Sequence, residues 1–286
     1  MKIGSLCTGY GGLDLAVEAH FNAETIWCAE FDKYASQVIE KRFNIPNHGD
    51  IKSINWAELE PVDILTAGYP CQPFSHAGER KGTDDPRHIF PYIVKAISTI
   101  RPEWIILENV RGHLTLGFKE VLAELTHLGY DVKWGIIRAS DAGAPHKRER
   151  LFIVANSNSN ARSQSRRTIG SLYRSARAII NWANRNVHGS SIEIVSNSDD
   201  EHQPHDRQMS QLGRRFTSRR EMHLQTAPNA LDQDKLNDKF VEYMMGLPAG
   251  WVTDCGLSRA QTLKMLGNGV VPQQAELALE ILTNGF

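Results

Sequence analysis

The stretch Lys2-Ile3-Gly4-Ser5-Leu6-Cys7-Thr8-Gly9-Tyr10-Gly11-Gly12-Leu13-Asp14-Leu15-Ala16-Val17 decides the fold. Its first five residues read as a short strand and Leu13–His20 as an amphipathic helix, so the glycines between them form a tight strand-to-helix turn. The same grammar then repeats. Further strands are predicted at Thr25–Ala29, Val62–Ala67, Trp104–Leu107, Val132–Ile137 and Leu151–Ala155. Helices are predicted at Lys33–Phe43, Phe90–Ile100 and Phe118–Leu128. Strands alternating with helices predict an α/β fold, a doubly wound and mostly parallel sheet with helices on both faces. Asp50, in Gly49-Asp50-Ile51, falls where one more strand would end.

Beyond Ala155 the composition changes. Residues 156–163 are mostly Asn and Ser, and no lysine occurs from Leu151 to Asp234. Arginines crowd in instead, including Arg166, Arg167, Arg214, Arg215, Arg219 and Arg220. Lysine would serve solubility equally well, whereas an arginine-only bias suits phosphate forks and guanine edges. The division expected is 1–155, a smaller, loop-rich unit at 156–255, and 256–286, where Pro272–Leu282 reads as a terminal helix. A solvated, unstructured insertion is the bland alternative for the middle unit.

The chain of 286 residues has a formal net charge of −1, so any nucleic-acid surface must come from local segregation of charge. Cys7, Cys28, Cys71 and Cys255 form no CxxC pair, which argues against a metal site and a disulfide framework. No run approaches the ~18 apolar residues of a membrane span. A cytoplasmic protein, acting as a monomer, is expected.

Ligands of open α/β sheets bind outside the carboxyl ends of the strands. Gly9, Glu30, Asp50, Cys71 and Glu108 each follow a strand and should gather on one edge. Arg148 and Arg150 precede the strand Leu151–Ala155, and join that edge if it runs antiparallel. Each has a bland reading: glycines for steric reasons, a solvated carboxylate, a surface ion-pair network. Cysteines are most often inert, but Cys71 lies between two prolines in Gly68-Tyr69-Pro70-Cys71-Gln72-Pro73-Phe74-Ser75, facing an acid, as a nucleophile would.

This set resembles the cytosine-C5 DNA methyltransferase family in its compact prokaryotic or phage form. The motif order is similar: the glycine loop, Glu30, Pro-Cys-Gln, Glu108-Asn109-Val110, His146-Lys147-Arg148-Glu149-Arg150, Met244-Met245-Gly246-Leu247-Pro248 and Gly267-Asn268-Gly269-Val270-Val271-Pro272-Gln273. The likeness spans roughly 1–155 and 238–280, and His146 stands where the family commonly has glutamine. The resemblance implies a class I S-adenosylmethionine-dependent methyltransferase fold, with 156–255 as the target recognition domain and the C-terminal segment returning to the catalytic domain. It implies S-adenosylmethionine bound by Thr8, Gly9, Gly11, Gly12, Leu13, Glu30, Phe31, Asp50, Ile51, Pro70, Asn268 and Val270. It assigns Cys71 to attack C6 of a flipped cytosine in double-stranded DNA, Glu108 to N3, and Arg150 with Arg148 to O2. Ser75–Arg87 would close over the base. The resemblance allows a separate cognate restriction endonuclease as partner. A tRNA methyltransferase, or a catalytically silent DNA-binding homologue, is the alternative.

Overall fold

The computed structural model describes residues 1–70, 89–157, 227–284 and 286. Cys71, the segment Ser75–Arg87 and most of the arginine-rich stretch therefore lie outside the described residues. The chain begins β1 (Lys2–Leu6), α1 (Gly12–Phe21), β2 (Glu24–Ala29), α2 (Lys33–Arg42), β3 (Ile64–Gly68), α3 (Phe90–Ile100) and β4 (Trp104–Val110). It continues with α4 (Phe118–His127), β5 (Asp131–Arg138) and β6 (Glu149–Asn156). After a two-residue-per-strand hairpin, β7 (Leu231–Asp232) and β8 (Lys235–Leu236), come α5 (Asp238–Met244), α6 (Arg259–Asn268) and α7 (Pro272–Leu282).

Strands β1 to β6 form one sheet in the order β2-β1-β3-β4-β6-β5. Neighbours pair in parallel except for β6, which runs antiparallel to both β4 and β5. Strand order reverses between β1 and β3, and such a switch point leaves a crevice beyond the strand ends. Successive residues of a strand face opposite sides. Leu65, Ile105, Leu107 and Ile153 pack with Ile93, Ile97, Val121 and Leu125 of α3 and α4. Ile64, Ile106, Phe152 and Val154 pack with Val17 of α1 and Ala275, Ala278 and Leu282 of α7. Both faces are covered, which is why these strands are continuous apolar runs rather than alternating ones.

The turn from β1 to α1 needs its glycines for two separate reasons. Gly11 has φ 81, a left-handed conformation costly for other residues, and a side chain there would strike the Phe43 ring. A side chain on Gly12 would strike the Val270 carbonyl, so the chain's last third touches the first turn of its first long helix. Helix α7 lies beside α1 and β5. Its Gln274, fully buried, donates to the Ile137 and Arg148 carbonyls, each at 2.7 Å.

Residues from Asp238 to Cys255 also pack onto the first part of the chain. Met245, Leu247 and Val252 share a core with Tyr10, Val38, Leu266 and Val271. Trp251 Nε1 donates to the Tyr10 carbonyl at 2.9 Å, and Arg42 binds the Trp251 and Gly250 carbonyls.

One expected element is absent. No strand ends at Asp50; residues 46–48 only flank β2, through Cys28 N–H to the Pro46 carbonyl and His48 N–H to the Cys28 carbonyl. Pro46 has no N–H to extend the ladder. The Asn47 side chain instead binds both the N–H and the carbonyl of Glu30, turning the chain away from the sheet.

Candidate active site

A cleft of about 890 Å³ opens beyond the carboxyl ends of β1, β2, β3 and β4. Thr8, Gly9, Gly12 and Leu13 enter it from the first turn, Glu30 and Phe31 from the end of β2, and Asp50 and Ile51 from the following loop. Pro70 closes one side, and Asn268 and Val270 the other. Gly11 lies off the cleft, against Phe43. The Glu30 carboxylate accepts from Gly9 N–H and from Asp32 N–H, both at 2.8 Å, which ties the end of β2 to the glycine loop. Burial raises its pKa, and those two N–H groups oppose the rise. Asp32 caps α2, accepting from Tyr34 and Ala35 N–H at 2.8 and 3.1 Å, and this fixes the backbone just after Phe31. Phe31 itself is 79% exposed, a large apolar ring at the edge of the cleft.

Asp14 was not singled out by sequence and also lines the cleft. It is fully buried in the first turn of α1 and accepts from Thr66 Oγ1 at 2.6 Å. Burial lifts its pKa to about 6, against hydrogen bonds from Thr66 and Ser5. No sequence signal marked it, because an acid in a first helical turn usually faces water.

The other end of the cleft is set by sheet register. Gly68, at the end of β3, pairs with Glu108 in β4, so the chain leading to Cys71 leaves the sheet beside that carboxylate. In the antiparallel β4–β6 pair, Glu108 lies opposite Phe152, and Val110 opposite Arg150. Glu108 and Arg150 are therefore diagonal neighbours on one face, within reach of each other. Arg150 Nε stands 3.0 Å from Glu108 Oε1, and both side chains are largely buried. Burial pushes the Glu108 carboxyl up to about 7, against the pull of Arg150 and Arg148 toward the ionised form. A carboxyl poised there can carry a proton at neutral pH and donate it.

Asn109 is buried beside Glu108, and its side chain donates to the Tyr69 carbonyl at 3.2 Å. The Tyr69 hydroxyl hydrogen-bonds His113 Nε2 at 2.8 Å. The backbone two residues before Cys71 is thus held from β4 and from the turn after it. The Glu-Asn-Val motif contained this residue without revealing its job.

Arg148 takes a different path from Arg150. Its Nη2 donates to the Gly267 and Gly269 carbonyls at 2.8 and 2.5 Å, and it does not line the cleft. His146 Nε2 donates to the Met244 carbonyl at 2.9 Å, at the end of α5. Glu149 points outward between Arg111 and Arg138. Of the remaining thiols, Cys7 and Cys28 have pKa values raised chiefly by burial, Cys28 to about 12, so neither is a ready thiolate. Cys7 nevertheless borders the cleft. Among the described residues no His/Cys/Asp/Glu cluster could hold a metal ion, and no helix is long and apolar enough to cross a membrane.

Residues 1–232 match the family model for C-5 cytosine-specific DNA methylase. Type II methyltransferase M.NgoBI of Neisseria gonorrhoeae is 39% identical over 158 residues, covering 54% of this chain and 50% of that protein. Type II methyltransferase M.BsuFI of Bacillus subtilis is 37% identical over 154 residues, covering 52% of this chain and 37% of that protein. The chain thus spans half or less of the length of these two relatives. Among solved structures, the S. pombe Dnmt2 methyltransferase superposes with a TM-score of 0.61 at 18% identity, covering 98% of this chain and 99% of that one. A putative DNA modification methyltransferase encoded within an E. coli prophage gives a TM-score of 0.60 at 17% identity, covering 99% of each. At such identity the likeness speaks for the fold alone.

Proposed function

The chain belongs to the C-5 cytosine-specific DNA methylase family, and on that premise we propose that it transfers a methyl group from S-adenosylmethionine to C5 of cytosine in double-stranded DNA. The observation that carries this reading is the buried Glu108–Arg150 pair, set beside the strand that leads to Cys71 and facing the cleft.

The cofactor fits the residues present. Glu30 offers carboxylate oxygens toward ribose hydroxyls, Phe31 and Ile51 offer apolar surface to a purine, and Asp50 an acceptor for its amino group. A side chain on Gly9 would point into open space, and its absence lets the backbone of this turn approach a ligand closely. Pro70, Asn268 and Val270 complete the wall. When bound, S-adenosylmethionine supplies an electrophilic methyl group on a sulfonium.

The chain's own groups prepare the base. Cytosine C5 is a poor nucleophile until the ring is made enamine-like. Cys71 thiolate adds to C6, forming a C–S bond. Glu108, protonated, hydrogen-bonds N3 and gives its proton to N3 as electron density builds there. Arg150 binds O2 and stabilises its developing charge. After C5 is methylated, its proton passes to solvent, the C5–H electron pair forms the C5=C6 bond as the C–S pair leaves with Cys71 thiolate, and N3 returns its proton to Glu108, which restores the aromatic ring. These atoms lie inside a duplex, so the base is flipped out at a cost of a few kcal/mol. Sequence reading is assigned to the arginine-rich unit within 156–255, whose end, from Asp238 on, packs against the catalytic core. A separate cognate endonuclease and a monomeric cytoplasmic enzyme belong to the same proposal.

A covalent trap tests it. Fluorine at C5 cannot leave as a proton, so duplex DNA carrying 5-fluorocytosine in the target, with S-adenosylmethionine, should give a stable adduct at Cys71. Cys71→Ser should abolish it, and tRNA offered in parallel should give none. An adduct at Cys7, Cys28 or Cys255, or one on tRNA alone, sinks the proposal.

A further inference from the structure

We infer that Arg148 is a positioning residue for the cofactor wall, not a group that touches the base; this rests on the methyltransferase reading above. Arg148 directly precedes β6 and Arg150 is its second residue, so alternation continued back by one residue would send both to the same place. The structure separates them. Arg148 has φ 35, unusual for a residue bearing a side chain, and its guanidinium is turned toward the segment between α6 and α7. There its Nη2 holds the Gly267 carbonyl at 2.8 Å and the Gly269 carbonyl at 2.5 Å. These two peptides flank Asn268, which lines the cleft.

The same segment is fastened from a second side. Tyr10, fully buried in the glycine loop, donates its hydroxyl to the Val270 carbonyl at 2.6 Å. Arg148 is itself braced, since Gln274 of α7 donates to its carbonyl at 2.7 Å. One short stretch, 267–270, is thus clamped between the strand that carries Arg150 and the loop that approaches the cofactor. A charged donor shared by two carbonyls is among the stronger hydrogen-bond arrangements. Arg148 Nε is buried with no hydrogen-bond partner among the described residues, so both contacts of the guanidinium to 267–270 rest on Nη2.

The two roles separate by measurement. S-adenosylhomocysteine affinity, read by calorimetry on the full chain without DNA, should fall about tenfold in Arg148→Gln, as loss of a charged hydrogen-bond donor implies. The KM for S-adenosylmethionine should rise in step. kcat at saturating cofactor should fall by less than about threefold, the pattern of lost binding rather than lost transition-state contact. Arg148→Lys, which keeps one donor for one carbonyl, should recover part of the affinity. Tyr10→Phe should weaken binding in the same direction, and serves with Arg148→Lys if Arg148→Gln does not fold. Unchanged affinity in these variants, or a loss confined to kcat, gives Arg148 to the base and overturns the inference. A wild-type chain that binds no S-adenosylhomocysteine removes the parent reading, a result distinct from variants that bind as wild type does.

Discussion

Two carboxylates are buried almost equally, Glu108 at 6% exposure and Glu242 at 2%, yet they live in opposite surroundings. Glu242 in α5 accepts from Gly250, Val252 and Thr253 N–H at 2.7, 2.6 and 2.9 Å, and from the Thr253 hydroxyl at 2.9 Å. Its lone pairs are spent holding the turn that carries Trp251 to the Tyr10 carbonyl. Glu108 has only Arg150 at 3.0 Å among the described residues, and its remaining valence faces the cleft. A buried acid whose acceptor sites are filled by the protein holds structure. A buried acid left partly unfilled, at a cleft, is held ready for a ligand, and its raised pKa is the sign of that incomplete solvation.

Removing chemistry from the unfilled acid should have the largest effect. Glu108→Gln keeps the shape and one donor but loses the transferable proton. Turnover should fall about 10²-fold or more, the range of a positioned acid–base group. Stability in denaturant at pH 8 should be equal or higher, because an ionisable group has left a buried site. Full turnover in this variant would put Glu108 in the same class as Glu242.

The reverse substitution probes the filled acid. Glu242→Gln is isosteric, but its amide nitrogen replaces one of two accepting oxygens and in either orientation meets at least one backbone N–H donor. Destabilisation by about 2 kcal/mol is expected, the cost of leaving buried donors unpaired. The shift of the urea midpoint measures it, with methyl transfer by the folded fraction largely kept. An unshifted midpoint would show that the turn does not depend on its acid.

The contrast could not be read from the sequence. Both acids lie in apolar surroundings, Glu108 after Trp104–Leu107 and Glu242 within Phe240–Met245. Glu108 was legible because strand order alone sends it to the cleft edge, and β6 running antiparallel brings Arg150 there. Glu242 was not, since its donors come from a turn whose approach depends on Arg42 and Tyr10, some two hundred residues away in sequence. Arg148 was expected beside Arg150 because motif order carries no dihedral angle, and its φ of 35 redirects the side chain. The strand expected before Asp50 failed for a local reason, the missing N–H of Pro46. Strand and helix placement otherwise follows closely, β1, α3 and α7 matching the expected limits. In each, a glycine, a proline or an abrupt loss of periodicity marks an end.

The smallest effect expected is a pH dependence, and it bears on the same contrast. Glu108 has a folded pKa of about 7 against an ordinary 4.5, raised by burial. If the protonated form prepares the base, kcat/KM for DNA should fall as pH rises through about 7, by about tenfold per pH unit beyond it, since that ratio reports the free enzyme. The sign for stability follows from the same shift. A folded pKa above the unfolded one means that the native state holds the proton more tightly. Glu108's contribution is then fully present below pH 4.5 and is lost progressively as pH rises through about 7. Asp14, raised to about 6, adds a similar trend to the wild-type curve, so that curve alone is ambiguous. The difference between Glu108→Gln and wild type removes Asp14's share. It should turn in favour of the variant between pH 4.5 and 7 and level off above, as denaturant titrations at a series of pH values would record. A difference that stays flat across that window would mean that Glu108 folds ionised, held by Arg150 as an ordinary ion pair, and the proton needed at N3 would have to come from elsewhere.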